Sequence, residues 1–300
     1  PLLSYDMRLI YILLLAATST YALQLRAKRV VNGSPQPWVA SAAVVSVESS
    51  FSGERPVTLC GGTIIAPRVI LTAAHCVYHE TFHEIARSVR IRVAFNRTSP
   101  RAGKSFLSND ILLHPQYIQE RFPAAFDLAL IILSPEDKLP LCEFMTSPQL
   151  ARLPSPDLII SNLNKGDSCF IVGWGKMEDE RYSGTPQHAN IVNVSEMTAY
   201  QFRATIIEGK GEGAQRACFG DSGGPLICEI DHIPYLIGVN SEIYPDRSID
   251  DAIPADSSKR CQYSSRLHAV DIRKQLRTIN ALVASRGLLH TMFESQNECF

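Results

Sequence analysis

Short apolar and β-branched runs, cut apart at close intervals by Gly, Pro, Ser and Asn, constrain this 300-residue chain more than any other feature. "VASAAVVSV", "GGTIIA", "RVILTAA", "VRIRVAF", "DLALIIL", "CFIVGWG" and "YLIGV" are each too short for a helix of ordinary length. Their residue types suit pleated, half-buried or buried surface, and turn residues separate them, so the body reads as an all-β barrel or sandwich. A break between two β halves falls in the Pro-containing stretch from Ser134 to Lys165. One helix is predicted, from Ala269 to Ser285. There Ile272, Leu276, Ile279 and Val283 share a face at spacings of four, three and four, Arg273, Lys274 and Arg277 lie elsewhere, and Gly287 follows as a stop.

The formal net charge is −1 and the composition is that of an ordinary soluble protein, 45% apolar and 20% charged. No basic excess points to nucleic acid or an anionic membrane surface. Residues 1–22 read as upstream residues and a secretory signal. Met7-Arg8 is followed by the apolar run Leu9 to Ala17, then small and polar residues ending in Thr20-Tyr21-Ala22. The apolar run is too short to span a bilayer. The expected location is therefore secreted and extracellular. Eight cysteines in that setting imply disulfides, with 105 connectivities open. No CxxC or HExxH spacing supports a metal site, and no cofactor is expected.

Three segments carry chemistry. In "GDSGGP", Gly220 to Pro225, glycines on both sides of Ser222 allow close approach of a substrate, and neighbouring N–H groups can face a developing oxyanion. Serine needs a base, and "LTAAHC" offers His75. "DLALIIL" opens on Asp127, an acid at the head of an apolar strand that needs a partner such as an imidazole N–H. Upstream, Arg26-Ala27-Lys28-Arg29 is a basic run of the kind that trypsin-like or dibasic-specific proteases cut, which would free an amine on Val30; the plain alternative is a solvated charge run.

Taken together, "RVVNG", "CGGTII", "LTAAHC", "DLALI", "GWG" and "GDSGGP" resemble the trypsin/chymotrypsin-like serine proteases over roughly residues 30 to 280. The resemblance implies two packed antiparallel β-barrels with a C-terminal α-helix and an active site between the barrels. By position it makes Ser222 the nucleophile, His75 the base and Asp127 its orienting acid, with Gly220 and Ser222 supplying the oxyanion hole. It implies a precursor with residues 23–29 as a short propeptide, 30–285 as the peptidase domain and 286–300 as a tail. Cleavage after Arg29 would let the Val30 amine pair with Asp221. It further implies the disulfides Cys60–Cys76, Cys169–Cys228 and Cys218–Cys261, leaving Cys142 and Cys299 as a fourth pair. Expected partners are a protein or peptide substrate, an activating protease and protein protease inhibitors, with the enzyme a monomer.

The chain departs from the family at its primary specificity pocket. Arg216 stands six residues before Ser222, where members that cut after Lys or Arg carry an aspartate. It is charged at any ordinary pH, so it repels a basic side chain and welcomes an acidic one. Alternatively an internal anion neutralises it, because an unpaired buried charge is costly. The 19 residues between Ser241 and Cys261 offer Glu242, Asp246, Asp250, Asp251 and Asp256. Glu242 and Ile243 replace the family's usual Trp and Gly after Ser241, and Ile243 should narrow the pocket mouth. The two resulting readings are an endopeptidase with non-trypsin-like specificity and a protease-like binding protein with a blocked pocket. Residues 93–107, where some relatives bind calcium, hold no Asp or Glu. Asn96 and Asn193 head glycosylation sequons, and Asn32 heads a less favourable one beside the activation segment.

Overall fold

The computed structural model describes residues 34–35, 44–53, 57–93, 103–120, 124–137, 139, 151–160, 168–177, 181–199, 204–245 and 260–288. The signal and propeptide segments, Arg29, Val30, Asn32, Asn96, Cys142, the aspartates at 246–256 and Cys299 lie outside these residues. The strands of the first half of the chain are β1 (Ser34–Pro35), β2 (Val44–Ser50), β3 (Thr58–Ala66), β4 (Val69–Thr72), β5 (Tyr78–His79), β6 (Glu84–Ile85), β7 (Ser88–Val93), β8 (Lys104–Ser108), β9 (Asp110–Leu113) and β10 (Ala129–Ile132). Those of the second half are β11 (Ser168–Gly173), β12 (Gln187–Ala199), β13 (Ala204–Gly211), β14 (Pro225–Ile230), β15 (Ile233–Tyr244) and β16 (Arg266–Asp271). Helices α1 (Pro115–Gln119), α2 (Arg260–Tyr263) and α3 (Ile272–Ala284) and two single helical turns, Ala74–Cys76 and Ala124–Phe126, complete the described elements.

The expected all-β architecture is present. One antiparallel sheet runs β8-β7-β2-β3-β4-β10-β9 and curls into a half-barrel. The other runs β12-β11-β14-β15-β16-β13 and closes on itself through the β12–β13 pairing, making a six-stranded barrel, with β1 added outside β12. Strand sequence explains strand placement. In β7, Val89, Ile91 and Val93 point inward while Arg90 and Arg92 point out, the alternation of a sheet wet on one face. In β10, Ala129–Ile132 are all buried, and the whole apolar run "LALIIL" disappears into the core of the half-barrel.

The final helix begins three residues later than the periodicity predicts. Ala269–Asp271 complete strand β16, pairing with β13 and β15, because their β neighbours already bury them. Asp271 then caps α3, its carboxylate accepting from the Arg273 backbone N–H at 3.1 Å. Arg273 is 3% exposed, held by Asp271 at 2.6 Å and Glu196 at 2.8 Å. Ile272, Ile279 and Val283 pack into the same core as the half-barrel strands. Gln275 Oε1 accepts from His114 Nε2 at 3.0 Å, and Gln275 Nε2 donates to the Ala125 carbonyl at 3.2 Å. Thus the helix that leaves the second sheet is fastened to the first.

Candidate active site

His75 lies on a single helical turn, Ala74–Cys76, directly after β4. The Cys60–Cys76 disulfide ties that turn to β3. Asp127 is the last residue before the buried β10 run, held where a short turn, Ala124–Phe126, delivers it. Ser222 sits in the tight turn entering β14. Asp221 N–H donates to the Cys218 carbonyl at 3.0 Å, Gly224 N–H to the Asp221 carbonyl at 3.1 Å, and Gly223 N–H to the Asn240 carbonyl at 2.7 Å. Gly61 on β3 donates to the Ser222 carbonyl at 2.7 Å, so the half-barrel also grips this turn. Gly220 adopts φ +98, a conformation that L side chains rarely adopt, and a Cβ there would also strike Tyr182 at 2.8 Å.

These segments converge on one cavity of about 750 Å³, lined by His75, Asp127, Ser222 and Ser241 among others. Asp127 is 3% exposed and accepts three hydrogen bonds: from the His75 backbone N–H at 2.9 Å, from His75 Nδ1 at 2.6 Å and from Ser241 Oγ at 2.6 Å. Burial alone would raise its pKa. The charge and hydrogen bonds of His75, with the Ser241 hydroxyl, outweigh burial and hold it below its usual value. The same pair raises His75. Burial opposes its charged form, but Asp127 prevails, helped by the more distant carboxylates Glu80 and Glu242. With Nδ1 committed to Asp127, Nε2 is the nitrogen left for proton transfer. Among the described residues no hydrogen bond joins Ser222 Oγ to His75.

Asp221 is 1% exposed, and its carboxylate accepts from Gly175 N–H and Cys218 N–H, each at 2.9 Å. The "GWG" segment forms its cradle: a Cβ on Gly175 would meet Asp221 Oδ2 at 2.3 Å. Burial pushes this acid up to about 6, and the two backbone donors only partly offset it.

The disulfides Cys60–Cys76, Cys169–Cys228 and Cys218–Cys261 are formed. Cys60, His75 and Cys76 approach one another closely enough to suggest metal donors, but the two sulfurs are bonded to each other and offer no thiolate.

At the specificity positions the arrangement differs from one expectation. Glu242 was a candidate anion for Arg216, yet its carboxylate accepts from the Tyr244 hydroxyl at 2.5 Å. Arg216 Nη1 instead donates to the backbone carbonyl of Gln262 on α2, and among the described residues Arg216 Nε is buried with no hydrogen-bond partner. Arg216 is absent from the lining of this cavity, whereas Glu242 and Ile243 belong to it. The sequence reading missed Glu80, Tyr117, Phe219 and Tyr244, which also line the cavity. Glu80 lies five residues after His75, and its nearness in the chain to the base was the signal available.

The fold and this site define a class. A family model described as Trypsin matches residues 29–258, and the chain belongs to the trypsin family of serine proteases. Among individual proteins, it is similar to chymotrypsin-like elastase family member 1 of Homo sapiens, 30% identical over 239 residues that cover 76% of this chain and 87% of the relative. The protein of the same name from Rattus norvegicus is 31% identical over 192 residues, 61% of this chain and 67% of the relative. Coagulation factor XI of Bos taurus is 32% identical over 207 residues, 61% of this chain but 29% of that longer protein.

Proposed function

We propose that this protein is a secreted serine endopeptidase, made as a precursor and activated by cleavage after Arg29. The observation that carries this reading is the anchoring of His75 by a buried, ionised Asp127 in the same cavity as Ser222. Ser222 Oγ attacks the scissile carbonyl and passes its proton to His75 Nε2. Asp127 holds the imidazole and stabilises the imidazolium, and the backbone N–H groups of Gly220 and Ser222 receive the oxyanion. His75 then gives its proton to the leaving amine, and water repeats the sequence to release the acyl group.

Activation follows from Asp221. Among the described residues this buried carboxylate has backbone donors but no cation. The Val30 amine supplies the missing charge once Arg29 is cut, which fixes the turn that carries Gly220 and Ser222. Arg216 sets a primary specificity other than Lys or Arg: its guanidinium opposes a basic side chain and favours an acidic one. The Asn193 sequon is exposed at a bulge in β12, where a glycan is accommodated. Substrates are proteins or peptides; the other partners are an activating protease and protein inhibitors.

A second reading, a binding protein with a blocked pocket, draws on Ile243 at the cavity wall. A fluorophosphonate probe separates the two. Labelling of Ser222 after cleavage at Arg29, absent from Ser222→Ala, is the result for a peptidase; an unlabelled, correctly cut and folded chain is the result for a binder. A randomised peptide library on the activated chain beside Arg216→Asp then tests the pocket. Strong cutting after Lys or Arg by the unmodified chain would refute its assigned specificity.

A further inference from the structure

The wall of the cavity carries a charge pattern that neither the triad nor the primary pocket uses. Glu80 enters from the first half of the molecule, directly after β5, and Glu242 from β15 in the second. Both are exposed, and both line the cavity that holds His75 and Ser222. Each carboxylate is fixed in place by a tyrosine hydroxyl. Tyr117, 1% exposed, donates to Glu80 Oε1 at 2.6 Å, and Tyr244 donates to Glu242 Oε2 at 2.5 Å. In each case these bonds leave the second oxygen with no described partner. Both acids act on His75 through space, so both stand near the reacting centre. Among the described residues no lysine or arginine lines this cavity.

We propose that Glu80 and Glu242 select a substrate with a basic side chain on one of the three residues that precede the residue entering the primary pocket. The proposal rests on the peptidase reading of this cleft and names the substrate class it accepts. By the family resemblance Ile243 stands at the mouth of the primary pocket, and the adjoining Glu242 falls on the side where the acyl half of a substrate enters. Two carboxylates lining one concave surface, one from each half of the molecule, focus a negative potential there. A lysine or arginine threaded there meets acids already held by tyrosine hydroxyls, without the entropy cost of ordering them. This preference concerns residues other than the one that Arg216 is proposed to select. The favoured peptide is therefore bipolar: basic ahead of the cut, acidic or neutral at the residue entering the primary pocket.

The test is a set of fluorogenic peptides in which Lys, Gln and Glu are exchanged at each of the three positions ahead of the primary one. The activated chain should cleave the best lysine peptide on the order of tenfold faster, in kcat/KM, than its glutamine counterpart. Glu80→Gln and Glu242→Gln should each remove roughly three- to fivefold of that preference, read as the ratio of the lysine to the glutamine peptide on the same variant so that any change in basal rate cancels. Raising the salt concentration should erode it. Cleavage without regard to charge at all three positions, or faster cleavage of the glutamate peptides, overturns the proposal and leaves the peptidase reading standing. Calorimetry of the same peptides on the Ser222→Ala chain reads recognition without turnover. Lysine-dependent binding lost in the two glutamine variants supports the proposal even if no peptide is cut, in which case it is the peptidase reading that fails. Equal binding of the three peptide series overturns the proposal.

Discussion

Asp127 has given up nearly all its water and yet remains a carboxylate, because three donors replace what burial removes. An asparagine fits the same space but presents an N–H to one of them, turning the imidazole toward the wrong tautomer. Asp127→Asn should therefore lower kcat/KM of the activated chain by roughly 10⁴ with little change in fold. Steady-state kinetics beside a circular dichroism spectrum checks both halves of that statement. Since His75 is raised above its ordinary 6.5, the acid limb of the kcat/KM profile should lie above that pH. Asp221 behaves in the opposite sense to Asp127. Its pKa in the fold, about 6, exceeds the ordinary 3.8, so the folded chain holds this proton more tightly than the unfolded one. The stability it contributes is present in full below about pH 4 and lost as pH rises through 6, a change on the order of 3 kcal/mol. Denaturant titrations of the uncut chain across that range should show the fall, and Asp221→Asn should flatten it. The triad was legible in the sequence because each member sits in a segment whose neighbours have few other uses. Glu80 was not, since nothing in "HCVYHE" distinguishes an acid that faces the cleft from one that faces water.

The elements that carry the site are short and would not hold it unaided. The turn Ala74–Cys76 has no side-chain cap, and the disulfide to β3 supplies the restraint instead. Cys60→Ala with Cys76→Ala should cost about 3 kcal/mol, the entropy of a loop this size, and should reduce kcat more than KM. Thermal melts and kinetics on the double variant decide it; unchanged kcat would show that the turn is held by packing alone. At this scale the sequence was legible where strands are buried on both faces, as in "DLALIIL" and "CFIVGWG". It was opaque in β12 and β13, whose pairing closes the barrel. "QHANIVNVSEMTA" keeps only part of one face covered, and its bulge between Val192 and Ser195 breaks the alternation on which a strand assignment depends. The start of α3 was misplaced for a related reason. "LHAVD" has residues any helix could use, and only the neighbouring strands make it β16.

Among the described residues, two seven-stranded sheets are held in register by a site and a strap. The strap is α3, which leaves the second sheet and buries Gln275 against His114 and Ala125 of the first half. Gln275→Leu leaves His114 Nε2 and the Ala125 carbonyl without their partner and should cost about 1–3 kcal/mol. If the strap holds the halves in register, activity should be lost at lower denaturant concentration than secondary structure; coincident loss would assign Gln275 to global stability alone. The site itself spans the seam. Asp127 Oδ2 is shared between His75 of the first half and Ser241 of the second, while Gly61 of the first half holds the carbonyl of Ser222 in the second. Such a carboxylate works as a coincidence detector, reporting only when both halves have arrived. On the peptidase reading, a chain with one sheet still unformed lacks half of its site, so the architecture itself guards against a half-folded product that cuts.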